Sequence, residues 1–195
     1  MRTAAPRLLP ILRSRLQGEL LAAVLLNPGR EESLSEMARR LGADVATVQR
    51  EVDRLEASGI VRSRRIGRAR VVSADQGSPL VPPLTALILQ TFGPVQVVRE
   101  EMARLRGVER VALFGSWAAR YEGRPGRAPV DVDVLIVGTP NRDEVHDAVL
   151  RAEHRLGRRV NATIRSADAW DSAQDGFVRR VRSSPLVTVL PEEPT

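Results

Sequence analysis

The sequence contains no cysteine, which excludes disulfides, iron–sulfur clusters and zinc sites built on thiolates. Lysine is missing as well, so every basic side chain is an arginine. Part of that arginine richness is the expected mark of a genome's composition, and a high isoelectric point by itself identifies no partner. No apolar run approaches the roughly 20 residues of a membrane-spanning helix. The N-terminus lacks the apolar core and small-residue cleavage site of a signal peptide, and no internal repeat is visible. These absences read as a cytosolic protein with no membrane partner.

The chain has 195 residues and 43% hydrophobic content, enough for one or two packed domains. Its charge is uneven. Residues 1–75 hold 14 arginines against 9 acidic residues, whereas residues 76–195 hold 16 against 15. The basic excess therefore lies in the first third, where an anionic partner is to be sought.

Apolar spacing predicts a helix over Arg13–Leu26, with Leu12, Leu16, Leu20 and Val24 on one face, ended by Asn27-Pro28-Gly29. Ser33 and Glu36 form a capping box for a second helix, Leu34–Leu41, burying Leu34, Met37, Ala38 and Leu41. Asp44 suits the N-cap of a third, Val45–Ala57, with Val48, Val52 and Leu55 inward and Gly59 as its stop. Ile60–Arg65 and Ala69–Ser73 then read as a hairpin turning at Gly67.

This order of helices and hairpin is that of a winged helix-turn-helix. Thr47, Gln49, Arg50 and Arg54 lie off the buried stripe of the third helix, which is narrow enough for a major groove. The hairpin carries Arg62, Arg64, Arg65, Arg68 and Arg70, a charge suited to phosphates or a narrow minor groove. The expected partner is double-stranded DNA, with phosphate contacts giving affinity and the third helix giving sequence choice. The alternative is a dimerisation module whose arginines only solvate its surface. The segment LSEMARRLGADVATVQREVDRLEASGIVRSRRIGRARVV resembles the winged helix of ArsR-like and MarR-like bacterial repressors. The resemblance spans about Arg13–Ala74; sensing through cysteine-bound metal does not carry over.

Residues 1–78 are thus expected to form the winged domain, 79–94 a linker helix, and 95–195 a second domain. In the latter, Val95, Val98, Met102 and Leu105 mark a helix, and Val108–Phe114 a strand. A Gly115-Ser116 loop and a short helix through Ala118 follow, then a Gly/Pro-rich loop over Glu122–Pro129. Asn141 and Glu144 make a second capping box, opening a helix that buries Val145, Ala148, Val149, Ala152 and Leu156. Arg159–Ile164 reads as a strand, Ser166–Ala173 as helical, Phe177–Val181 as a turn and Leu186–Leu190 as an apolar tail, with PEEPT expected to fray.

The run VDVDVLIVG places Asp131 and Asp133 inside an apolar strand. Residues two apart in a strand share a face, so the two carboxylates lie roughly 6–7 Å apart. Their repulsion is about 2–3 kcal/mol at an effective dielectric near 20. A divalent cation between them removes that cost, and hard oxygen ligands favour Mg²⁺. Gly115 allows close backbone approach, while Ser116 and the helix start offer donors to a phosphate. An edge strand with solvated aspartates is the simpler alternative.

FGSWAAR followed by DVDVLIV resembles the nucleotidyltransferase fold over about Val95–Leu190. A winged helix joined to such a domain resembles bacterial nucleotidyltransferase-domain transcriptional regulators. Related minimal nucleotidyltransferases act as antitoxins that move AMP from ATP onto a toxin. The resemblance implies an α+β chain whose second domain is a small mixed-sheet α/β unit. It implies Gly115 and Ser116 at the triphosphate of an NTP, most naturally ATP, and Asp131 and Asp133 on Mg²⁺ as the catalytic carboxylates. Arg120 is a candidate to neutralise phosphate charge at the nucleotide or to pair with an acidic neighbour. The family's third carboxylate falls at Asn161, an amide that can touch a ribose or ligate weakly but cannot accept a proton. The spacer from Ser116 to Asp131 is fourteen residues, and Tyr121 stands where a glycine is common. Two functions are therefore carried: a homodimeric DNA-binding regulator that senses or uses Mg-nucleotide, or an active nucleotidyltransferase acting on a protein or small acceptor. Trp117 is a candidate to stack on a base or to pack beneath the sheet. His146 and His154 read as surface, and Arg158-Arg159 and Arg179-Arg180 as solvated faces, with phosphate contact as the alternative.

Overall fold

The computed structural model describes residues 12–124, 126 and 128–191. Residues 1–11, and residues 192–195 of the tail expected to fray, lie outside them. Contacts divide the chain after Gly93 into two units.

In the first unit, α1 (Arg15–Leu25) begins two residues later than the apolar pattern suggests, because Ser14 caps it by accepting from the Gln17 N–H. β1 (Glu32–Ser33) is a two-residue strand that periodicity cannot reveal. α2 (Leu34–Leu41) opens on the Ser33–Glu36 capping box, with both reciprocal bonds present. α3 (Val45–Ala57) is capped by Asp44. β2 (Val61–Ile66) and β3 (Ala69–Ala74) form the hairpin, and the sheet runs β1-β3-β2, antiparallel throughout. The residues that drive these elements inward are apolar ones at helical spacing. Leu20, Met37, Val48 and Val52 are at most 1% exposed, and full burial of such a side chain is worth about 1.5–3 kcal/mol.

α4 (Val81–Phe92) starts with prolines in its first turn, where their missing N–H costs nothing. Expected as a linker, it packs along α1. Gly18 makes this possible: a Cβ there would sit 2.2 Å from the Phe92 ring. The first unit is thus an α+β winged helix-turn-helix with a packed C-terminal helix.

The second unit is also mixed. α5 (Pro94–Met102) stops before Leu105, and β4 (Val108–Phe114) follows. α6 (Gly115–Tyr121) takes the Gly-Ser pair as its first turn instead of a preceding loop, and runs on past Ala118. β5 (Asp131–Gly138), α7 (Arg142–Leu156) and β6 (Arg159–Arg165) form a parallel crossover. Asn141 starts α7 by accepting from the Asp143 and Glu144 N–H groups. α8 (Ala167–Ser172) is followed by α9 (Gly176–Arg182), a helix where the sequence suggests a turn; Asp175 caps it. The apolar tail is a strand, β7 (Leu186–Leu190), because β4 has an open edge to pair with it.

The sheet order is β6-β5-β4-β7, with only β5 and β6 parallel. Val132, Val134 and Ile136 are buried on one face of β5. Leu135 and Val137 on the other form a core with Val181, flanked by Phe114, Ala167, Trp170, Phe177 and Leu186. Asp131 and Asp133 continue this second face toward the start of the strand, where cover by α8 and α9 gives out.

Candidate functional site

The first unit presents α3 and its hairpin. Asp44 accepts from the Thr47 hydroxyl at 2.6 Å, and Thr47 in turn accepts from Arg50 at 2.8 Å. That chain lays Arg50 along the first turns of the helix, beside the exposed Gln49. The Thr47 hydroxyl and backbone bonds hold the Asp44 carboxyl below the ordinary aspartate range. Arg54 donates to Glu51 at 2.5 Å. Glu51 is itself buried, and its Oε2 has no hydrogen-bond partner among the described residues.

The wing arginines divide into two kinds. Arg70 is half-buried and donates to Asp53 at 2.6 Å, Glu56 at 2.6 Å and Ser63 at 3.0 Å. It ties the hairpin to α3 and is not available for phosphate. Arg64 forms a two-point bond with Glu31 at 2.8 and 2.6 Å, and Arg62 touches Ser73 at 3.5 Å. Arg65 and Arg68 are exposed at the hairpin end with no carboxylate partner among the described residues. Of the hairpin arginines read as one charged surface, Arg64 and Arg70 are paired with carboxylates, whereas Arg62, Arg65 and Arg68 have no such pairing among the described residues. Sequence spacing carried no sign of this sorting, since it depends on which acids α3 and the segment before β1 bring alongside.

In the second unit, Asp133 lies between Phe114 on β4 and Asn161 on β6, in register with both. The Asn161 amide nitrogen donates to Asp131 Oδ2 at 2.9 Å and Asp133 Oδ1 at 3.1 Å. Gly115 has a φ of +69°, and a Cβ on it would stand 2.8 Å from Asp133 Oδ2. The glycine and the aspartate are therefore in close approach. Ser116 is exposed beside them in the first turn of α6. The structure thus brings together Gly115, Ser116, Asp131, Asp133 and Asn161.

Arg120 is not shown joining this group. It sits in the last turn of α6 and donates to the Gly126 carbonyl at 3.3 Å. Trp117 is 1% exposed, so it is a core residue and offers no face to a base. Its Nε1 is buried without a partner among the described residues, and Arg158 lies 4.9 Å over its ring. The Tyr121 hydroxyl accepts from the Val95 N–H at 3.2 Å, which gives the side chain at the unusual position a structural task. Burial pushes its phenol pKa well up. His146 and His154 are exposed.

A cation is the group such a carboxylate pair implies. Among the described residues no set of three or more His, Asp or Glu side chains is placed to hold one. The two carboxylates on one strand face are donors suited to a hard divalent ion, while the Asn161 amide presents its nitrogen, not its oxygen, to them. The bare Gly115 backbone leaves the approach to Asp133 clear.

A family model described as HVO_A0114 matches residues 15–76, the stretch from α1 to just past β3. Among solved structures, the chain is similar to the transcriptional regulator BldR from Sulfolobus solfataricus. The two are 23% identical, with 53% of this chain and 71% of that chain covered and a TM-score of 0.39. Neither match is with a nucleotidyltransferase, and the comparison with curated proteins matches nothing.

Proposed function

We propose that this chain is a DNA-binding transcriptional regulator whose second unit binds a nucleotide with Mg²⁺ as sensor or effector. The observation that carries the DNA reading is the pairing of an exposed Gln49 and Arg50 on α3 with the uncompensated Arg65 and Arg68 of the hairpin. α3 reads base edges from its N-terminal half, and the hairpin end takes phosphates or the adjacent minor groove. A homodimer on a two-fold site is the arrangement that suits a single reading helix per chain. Such a regulator works in the cytosol.

Titration of promoter DNA at several salt concentrations tests this. Affinity should fall steeply, with a slope near 0.9 per phosphate contacted, about 0.9 in log K per log unit of salt. Binding indifferent to both salt and sequence would refute the reading.

For the second unit, Gly115 admits a phosphate close to the backbone, Ser116 supplies a hydroxyl, and Asp131 and Asp133 hold the cation. Mg²⁺ bound there would offset part of the combined negative charge of the two carboxylates and the phosphates. Nucleotide-dependent protection of the full chain against thermal unfolding, lost in Asp133→Asn, is the expected outcome.

The second reading is an active nucleotidyltransferase with a protein or small-molecule acceptor. The close approach of Gly115 to Asp133 favours it. Asn161 tells against it, because an amide cannot take the acceptor's proton. Transfer of label from α-labelled ATP, abolished by Asp131→Asn, would establish it.

A further inference from the structure

Asn161 faces two carboxylates at once, and this restricts which end of its amide points inward. Ionised aspartates accept hydrogen bonds and donate none. A carbonyl oxygen turned toward them would add a third acceptor, whereas the NH₂ group has one proton for each. The distances of 2.9 and 3.1 Å match that arrangement. The amide nitrogen consequently fills the place between the carboxylates that a cation needs.

Resting on the Mg-nucleotide reading above, we infer that Asn161 is a positioning residue that closes the Asp131/Asp133 pair against a free divalent cation. Its amide dipole offsets part of the repulsion between the two acids, so the pair is stable without metal. Opening the pair means breaking both hydrogen bonds and turning the side chain aside. Two carboxylates alone return little for that change. A nucleotide adds phosphate contacts at Gly115 and Ser116, and these make the opening favourable. The device makes the nucleotide complex, and not the ion, the effective ligand.

The parallel register gives the inference its reach. Asn161 stands directly across from Asp133 on the neighbouring strand, so its side chain is held beside the pair by the sheet. A carboxylate at this position would have the opposite effect, bringing three like charges to one face that require a cation to stay together.

Full-length protein with Mn²⁺ as the probe provides the test, with binding followed by calorimetry with and without a non-hydrolysable ATP analogue. The native chain should bind Mn²⁺ alone weakly. Asn161→Ala removes the N–H donors and should tighten Mn²⁺ binding several-fold. Asn161→Asp should tighten it at least tenfold, and its melting temperature should drop in chelator and recover when Mn²⁺ is added. The inference is overturned if Asn161→Ala binds Mn²⁺ no better than the native chain, since Asn161 would then be a ligand or a bystander. If both variants gain Mn²⁺ binding but the analogue gives the native chain no added affinity, the closing role stands and the nucleotide reading fails.

Discussion

Arg40 grips Glu32 through both carboxylate oxygens, at 2.9 and 2.5 Å, with the two side chains only 10% and 7% exposed. The pair joins the end of α2 to the short strand β1. Removing one partner strands a buried charge, which typically costs about 3–5 kcal/mol, whereas replacing both with apolar groups is often neutral. Arg40→Met should therefore sharply lower the denaturant midpoint of the first unit. Glu32→Leu combined with Arg40→Met should recover most of the loss, and a double variant no better than the single would contradict this account.

The two kinds of wing arginine should separate in experiment. Replacing Arg65 and Arg68 by alanine should lower the salt slope of DNA binding by about 2, at near 0.9 per lost phosphate contact, while leaving stability alone. Arg70→Ala should instead loosen the hairpin on α3. Its partners are partly exposed, so the expected stability loss is modest, about 1 kcal/mol. Equal salt slopes for the Arg65/Arg68 variant and the native chain would remove the hairpin from the DNA interface.

Gly115→Ala tests the contact beneath the carboxylate pair. A left-handed φ costs an L-residue about 1–2 kcal/mol, and the new Cβ would meet Asp133 Oδ2 at 2.8 Å. Ser116→Ala changes an exposed hydroxyl and should leave the melting temperature unmoved. If the two variants melt alike, Gly115 is not held where the structure has it.

Glu101 supplies a pH-dependent term in the second unit. Burial raises its carboxyl pKa, but Arg151 at 2.8 Å and Arg155 at 2.9 Å outweigh burial, and the net displacement is downward. A lowered carboxylate stabilises the fold above its unfolded-state value, and that stability is lost as pH falls through the folded value. Unfolding free energy should therefore decline as the solution is taken below the ordinary glutamate range. Glu101→Gln should be less stable at neutral pH and should show a flatter acid limb; an unchanged limb would place the dependence elsewhere.

Much of this architecture was legible because its signals are local. Ser33 with Glu36, and Asp44 before Val45, fix helix starts within four residues. The alternation in VDVDV places both acids on one face without knowledge of the neighbours. Asn161 beside Asp133 came from a family resemblance, and its register rests on the parallel ladder that the α7 crossover imposes. What stayed hidden was non-local. Nothing near Arg70 in sequence announces Asp53 and Glu56, and β7 became a strand only because β4 lies open beside it. Trp117 was left between stacking and packing, because one helical turn carries too little periodicity to decide.

The contact between Gly18 and Phe92 settles where a shortened protein can end. A fragment cut after the hairpin, near residue 78, would bare the α1 surface that Phe92 covers and leave a hydrophobic scar prone to self-association. The smallest piece expected to keep the packing of the first unit runs through Gly93.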